Sequence, residues 1–154
     1  MSLALCVDQI VGLKEDPAKR RLEVRTDRSG VLWIDLSAAV PVNVELIRTA
    51  QAEREFVVLR FETETRRVTM AVPPVQDCIA YLGDRKAADR LVEVAALKRP
   101  TGLFLDKEHP RFEELYALLS QAHMAEREGA QAVLAVLPGA NRVEDVVVIP
   151  PPKP

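Results

Sequence analysis

Cysteine and aromatic residues are scarce in this chain, and neither sign of charge is in excess. Two cysteines among 154 residues are too few for a disulfide framework, so an apolar core has to hold the fold. A formal net charge of −2 weighs against nucleic acid as a partner, because such binding usually depends on neutralised phosphates. No apolar run approaches the roughly 18 residues that a membrane helix requires, so no membrane association is expected.

The usual sequence signatures of enzymes are also missing. The chain contains no Gly-rich phosphate-binding loop, no Cys-x-x-Cys pair, and no serine or cysteine in a nucleophile elbow. Its first residues include neither a basic segment nor a long apolar stretch, so no signal peptide is predicted. These absences favour a cytoplasmic, non-enzymatic protein without a cofactor.

What the chain does contain is a pattern that occurs twice. The segment that begins at Val7 returns at Val75, about 68 positions later, and the segment that begins at Pro41 returns at Pro110. Before each proline, an apolar run is closed by an aspartate. A repeat of this length is typical of a supersecondary unit whose apolar face packs against a partner.

Both copies have the same predicted order of elements. Strict alternation of polar and apolar residues from Arg21 to Thr26, then a turn with Gly30 and a second apolar run, predicts a β-hairpin. Pro41 suits the first turn of a helix, and two strands follow that helix. The sequence therefore predicts an α+β fold of two related β-ββ-α-ββ units, an internal duplication with antiparallel sheets and one helix per unit.

The length of the chain favours one domain over two. We expect residues 1–149 to form a single pseudo-twofold domain from two repeats, 1–72 and 73–149, because each repeat alone would have a thin core. Residues 150–154 are rich in proline and are predicted to form a flexible tail. Alternating strands leave sheet edges, which symmetric pairing of subunits often covers, so a homodimer is favoured over a monomer.

The strongest candidate for chemistry is the segment from Asp106 to His109, which offers two carboxylates and an imidazole before a predicted helix. Such groups bind metals or transfer protons in many proteins. Helix capping explains the same residues more simply, because a polar residue there accepts the unpaired N–H groups of the first turn. We therefore expect no metal at this segment, and the matching segment of the first copy keeps only Asp35.

Trp33, the single tryptophan of the chain, is the other candidate. In its strand, Trp33 shares a face with Asp35, whereas the neighbouring leucine and isoleucine side chains point to the opposite face. A tryptophan on the less apolar face of a strand suits a groove or a subunit contact. A strand that is covered on both sides explains the same residue equally well.

Three functional interpretations remain open at this point. The preferred one is a non-enzymatic protein-interaction or binding module. The alternative is a small-molecule-binding protein, or an unorthodox enzyme, with its site in a cleft between the repeats near Trp33, Asp35, Asp106 and His109. The third is nucleic-acid binding through the basic hairpin 19–28, although acidic residues lie among its cations.

Overall fold

The computed structural model describes residues 2–38, 41–99, 101–137 and 139–152. The chain divides into two compact units, unit 1 (Met1–Pro74) and unit 2 (Val75–Pro154). Within the described ranges, eleven strands form two sheets, and two α-helices accompany them. This arrangement confirms the predicted α+β class. None of the helices in these ranges is long and apolar enough to span a membrane.

Unit 1 has five strands and one helix. In chain order they are β1 (Leu3–Asp16), β2 (Arg21–Thr26), β3 (Val31–Asp35), α1 (Val44–Glu53), β4 (Phe56–Glu62) and β5 (Val68–Val72). The strands lie in the order β3-β2-β1-β4-β5, and all of these neighbours are antiparallel. Trp33 of β3 forms a parallel bridge with Arg67, which precedes β5. This bridge joins the two outer strands at one point, so the sheet curls into a partly open barrel.

The long strand β1 pairs with two different strands along its length. Its first half, from Leu3 to Gln9, pairs with β4, and its second half pairs with β2. A β-bulge between Ile10 and Gly12 marks the change of partner, where the extra residue bends the strand. The curvature that a small barrel requires is therefore placed in the middle of β1.

Unit 2 begins with two short strands in place of one long strand. Its elements are β6 (Val75–Asp77), β7 (Ile79–Leu82), β8 (Leu91–Ala96), β9 (Leu103–Asp106), α2 (Phe112–Met124), a 3-10 helix (Glu126–Glu128), β10 (Gln131–Leu137) and β11 (Arg142–Ile149). The strand order is β6-β10-β11-β9-β8-β7, with β9 and β11 parallel at Phe104 and Arg142. Because only Cys78 separates β6 from β7, the two ends of this sheet are also adjacent.

The strand pairings of unit 2 follow those of unit 1 in order. In unit 1, β1 pairs with both β2 and β4. In unit 2 these two pairings are divided, since β7 pairs with β8 and β6 pairs with β10. The bulge recurs as well, between Ile79 and Tyr81. This agreement concerns element order and pairing. The internal duplication, the pseudo-twofold packing and the single domain 1–149 stay predictions.

Buried apolar side chains fill each unit. In unit 1, Ile47 and Ala50 of α1 pack with the inward residues of the barrel strands. In unit 2, Leu115 and Leu119 of α2 do the same. The helix in each unit thus lies against its own strands, with its apolar side toward the core.

Each helix begins two or three residues beyond the proline at which the sequence predicts its first turn. α1 begins at Val44 because Asn43 is its N-cap, where the Asn43 side chain accepts a hydrogen bond from the Leu46 N–H at 3.1 Å. α2 begins at Phe112, beyond Pro110.

In the predicted tail, Pro152 lies beside Gly129, and Lys153 and Pro154 fall outside the described residues. The flexibility of the tail 150–154 stays a prediction.

Candidate functional site

The outer side of β2 and β3 in unit 1 carries charged residues around one aromatic ring. Leu22 and Val24 point into the barrel, so the residues that alternate with them point outward. Within this outer layer Glu23 lies opposite Trp33. We call this surface the Trp33 face, and it comprises Lys14, Asp16, Lys19, Arg21, Glu23, Val31 and Trp33.

The indole of Trp33 is held in a defined orientation. Its Nε1 donates a hydrogen bond to the carbonyl oxygen of Thr65 at 2.8 Å. The guanidinium of Arg21 lies over the ring, 3.8 Å from the ring centroid. A cation over the face of a tryptophan is attracted by the electrons of the ring, so Arg21 and Trp33 form a flat, positively charged platform.

A hollow of about 270 Å³ lies on the Trp33 face. Lys14 and Lys19 supply positive charge to its lining, and Asp16 and Glu23 supply negative charge. One carboxylate oxygen of Glu23 has no hydrogen-bond partner among the described residues, although the Arg25 Nε lies 3.4 Å from it. The hollow therefore offers an aromatic surface with charges of both signs around it.

The turn between β4 and β5 brings a second basic segment next to Trp33. The guanidinium of Arg66 donates hydrogen bonds to the carbonyl oxygens of Ser29 and Val31. Arg67 binds Glu62 through two hydrogen bonds of 3.0 Å, and these bonds lower the pKa of the Glu62 carboxyl. The Arg66 side chain thus fixes this turn beside β3, which the sequence places more than thirty residues earlier.

Asp35 lies at the end of β3, beside a second hollow of about 520 Å³. Its carboxylate accepts hydrogen bonds from the backbone N–H of Ser37 at 2.9 Å and from the Ser37 hydroxyl at 2.7 Å. These bonds are the main cause that lowers the pKa of Asp35, and the charges of Arg67 and Arg21 add to it. Asp35 is therefore an ionised residue that closes a turn.

Asp106 in unit 2 is the centre of an ion-pair cluster. It accepts two hydrogen bonds from Arg90, at 2.9 and 2.8 Å, and one from Arg142 at 3.0 Å. The backbone N–H of Glu108 donates a further bond at 2.9 Å. These partners, Arg90 first among them, lower the pKa of Asp106 to about 2. The hydrogen bonds of the Asp106 carboxylate therefore link β8, β9 and β11.

Both ring nitrogens of His109 are also engaged. Nδ1 accepts a hydrogen bond from the Arg111 N–H at 3.0 Å, so Nε2 carries the proton of the neutral ring and faces Glu144 Oε2 at 3.0 Å. The N-cap residue of α2, Arg111, makes no side-chain capping bond, and the His109 side chain accepts the backbone N–H of this N-cap residue. Throughout the described part of the chain, no cluster of three His, Cys, Asp or Glu side chains has the arrangement of a metal site.

The four residues singled out from the sequence thus fall into two pairs. Trp33 and Asp35 lie on β3 of unit 1, and Asp106 and His109 lie in unit 2. The cleft site that would combine them stays a prediction. When Asp35 is aligned with Asp106, Phe104 of β9 stands at the position that Trp33 has in β3.

Comparisons of the chain with protein-family models, with curated proteins and with solved structures found no match.

Proposed function

We propose that the protein is a non-enzymatic binding module whose Trp33 face holds a segment of single-stranded nucleic acid. The observation that carries the proposal is the Arg21–Trp33 platform, which lies between two basic turns. Proteins that bind single strands without sequence preference combine aromatic side chains, on which bases stack, with cations that follow the phosphates. The Trp33 face presents both kinds of group on one surface.

The architecture of unit 1 supports the same proposal. A five-stranded Greek-key barrel with its helix between the third and fourth strands is the arrangement of the OB-fold. Such barrels bind oligonucleotides or oligosaccharides on strands 2 and 3 and on the loops between strands 1 and 2 and between strands 4 and 5. In unit 1 these loops carry Lys19, Arg20, Arg66 and Arg67. The likeness is one of fold, and it favours the same surface of unit 1 on which the Arg21–Trp33 platform lies.

The mixed charge of the face sets the expected strength of binding. Lys14, Lys19 and Arg21 can contact about three phosphates, so the logarithm of affinity should fall with the logarithm of salt concentration with a slope of about −2. Asp16 and Glu23 oppose this attraction. We therefore expect weak, sequence-tolerant binding in which stacking on the platform contributes about 1–3 kcal/mol per base.

Fluorescence of Trp33 provides a direct test, because the chain has no other tryptophan. A short oligothymidylate should quench this fluorescence in a saturable, salt-sensitive manner. Arg21→Gln should weaken binding several-fold. Arg48→Gln, which removes the same charge from the exposed side of α1, is the matched control and should leave binding unchanged. Absence of quenching, or equal effects of the two substitutions, would contradict the proposal.

A protein partner is the second candidate, and a second copy of the chain is the simplest such partner. β5 pairs with β4 on one side, and within the described residues the Trp33–Arg67 bridge is its pairing on the other side. The rest of that edge offers backbone groups to another strand. We propose a homodimer on this basis. Light scattering that returns the mass of a single chain at micromolar concentration would contradict it.

We also propose a cytoplasmic location and an origin by internal duplication. The chain has two cysteines, too few for a disulfide framework, and this scarcity suits a reducing compartment. The matching order of strand pairings in the two units supports the duplication. Fractionation of the cells that produce the protein would test the location. A diverging order of elements in an experimental structure would remove the support for the duplication.

A further inference from the structure

A row of three outward side chains crosses the Trp33 face from one strand to the next. Lys14 of β1 lies opposite Glu23 of β2, and Glu23 lies opposite Trp33 of β3. Neighbouring strands lie about 4.8 Å apart, so the row places a cation, a carboxylate and an aromatic ring within roughly 10 Å. All three side chains line the hollow on this face. Glu23 therefore stands between the cation and the ring.

The carboxylate of Glu23 is only weakly engaged within the protein. Its Oε2 lies 3.4 Å from the Arg25 Nε, which is longer than the roughly 2.8 Å of a charge-assisted hydrogen bond. The Arg25 side chain is 62% exposed, so water screens this ion pair. Oε2 itself is covered, whereas the Glu23 side chain as a whole is 36% exposed and lines the hollow. A ligand in the hollow therefore reaches Glu23 through Oε1.

A carboxylate beside a stacking surface distinguishes between bases. The N4 amino group of cytosine is a hydrogen-bond donor, and glutamate is one of its usual acceptors in proteins. Uracil and thymine offer a single N–H on the same edge, between two carbonyl oxygens that a carboxylate repels. Cytosine and uracil have the same size, so they differ in hydrogen bonding and not in bulk. A base that stacks next to Glu23 is therefore bound more tightly when it is cytosine.

We infer that Glu23 is a specificity-determining residue of the Trp33 face, which accepts the N4 amino group of a cytosine stacked on the Arg21–Trp33 platform. This inference rests on the proposed function and deepens it, since it names the base that the face prefers. Lys14, at the other end of the row, contacts a phosphate whatever the sequence. One hydrogen bond to a partly exposed carboxylate strengthens binding by about three- to tenfold, so the face still accepts other bases.

The experiment compares oligodeoxycytidylate with oligodeoxyuridylate of the same length, and it measures both dissociation constants by the quenching of Trp33 fluorescence. Wild type should bind oligodeoxycytidylate about three- to tenfold more tightly. Glu23→Gln keeps the shape of the side chain, and its amide both donates and accepts, so the ratio of the two dissociation constants should fall close to one. Loss of the charge also reduces the repulsion of phosphates. This effect is equal for both oligonucleotides and cancels in the ratio.

Asp16→Asn is the matched control, because it removes the same charge from the lining of the same hollow. Asp16 already accepts the Lys19 N–H at 3.3 Å through Oδ1. The control should strengthen binding of both oligonucleotides and leave their ratio as in wild type. A change in the ligand makes the test independent of any variant. An oligonucleotide of N4,N4-dimethylcytosine has no N–H at this position, and wild type should bind it no more tightly than oligodeoxyuridylate.

The outcomes separate this inference from the proposed function. Equal binding of the two oligonucleotides to wild type, with Trp33 quenched by both, overturns the role of Glu23 and leaves the proposed function intact. A preference for cytosine that Glu23→Gln retains, or that Asp16→Asn also abolishes, overturns this role as well. Absence of quenching by either oligonucleotide overturns the proposed function and the inference with it.

Discussion

Replacement of Asp106 by asparagine tests whether the ion-pair cluster of unit 2 stabilises the fold. The substitution preserves the shape of the side chain and removes its charge. Arg90 then loses the carboxylate that it binds at 2.9 and 2.8 Å, and Arg142 loses its contact at 3.0 Å. Because these residues lie beside three different strands, the loss should weaken the outer layer of the unit 2 sheet.

The pKa of Asp106 gives the size of the effect. Its shift from 3.8 to about 2 corresponds to an upper limit of roughly 2–3 kcal/mol, at about 1.4 kcal/mol per pKa unit. The Arg90 side chain is 59% exposed, so water screens this attraction. We therefore expect Asp106→Asn to lower the free energy of unfolding at neutral pH by about 1 kcal/mol.

The dependence on pH has a definite sign. The folded-state pKa of Asp106 lies below its unfolded value of 3.8, so its contribution is present above that pH. The contribution disappears as the pH falls toward about 2, where the folded-state carboxyl takes up its proton. The difference in stability between wild type and Asp106→Asn should therefore shrink over this interval.

Urea denaturation with amide hydrogen exchange in β8 and β9 measures this difference within unit 2. Asp35→Asn is the matched control, because Asp35 ends β3 as Asp106 ends β9, yet its hydrogen bonds come from Ser37 in the adjacent turn. The control should lose less stability. Equal stability of Asp106→Asn and wild type at neutral pH, or a difference that persists on acidification, would refute the reasoning.

Three further outcomes are expected. Asp8 is fully buried and accepts two N–H groups from the turn after β2, so Asp8→Ala should cost about 1–3 kcal/mol and speed amide exchange in that turn. Ile34→Ala removes a buried side chain from unit 1 and should cost about 2–5 kcal/mol, measured by urea denaturation with Trp33 fluorescence. A metal ion that binds only the folded state raises the melting temperature. Because we expect no metal site, Zn²⁺ and Mn²⁺ should leave the melting temperature unchanged. A rise of several degrees that His109→Ala abolishes would show a metal site.

The sequence by itself determined the local elements of each unit. The alternation in Arg21–Thr26 predicted both the strand and its inward side, since period two is a property of the extended chain. The apolar stripe on Leu115 and Leu119 likewise predicted the buried face of α2. The first strand that the β-ββ-α-ββ order predicts for the second copy is interrupted at Cys78, which separates β6 from β7.

Only the tertiary structure decided which distant residues meet. The contact of Trp33 with the turn at Thr65, and that of Asp106 with Arg90 and Arg142, depend on strand order and register in the sheet of each unit. No local pattern contains this information, because a one-residue change of register places a side chain on the opposite face of the sheet. The platform at Trp33 is therefore a consequence of barrel closure, which long-range backbone pairing establishes.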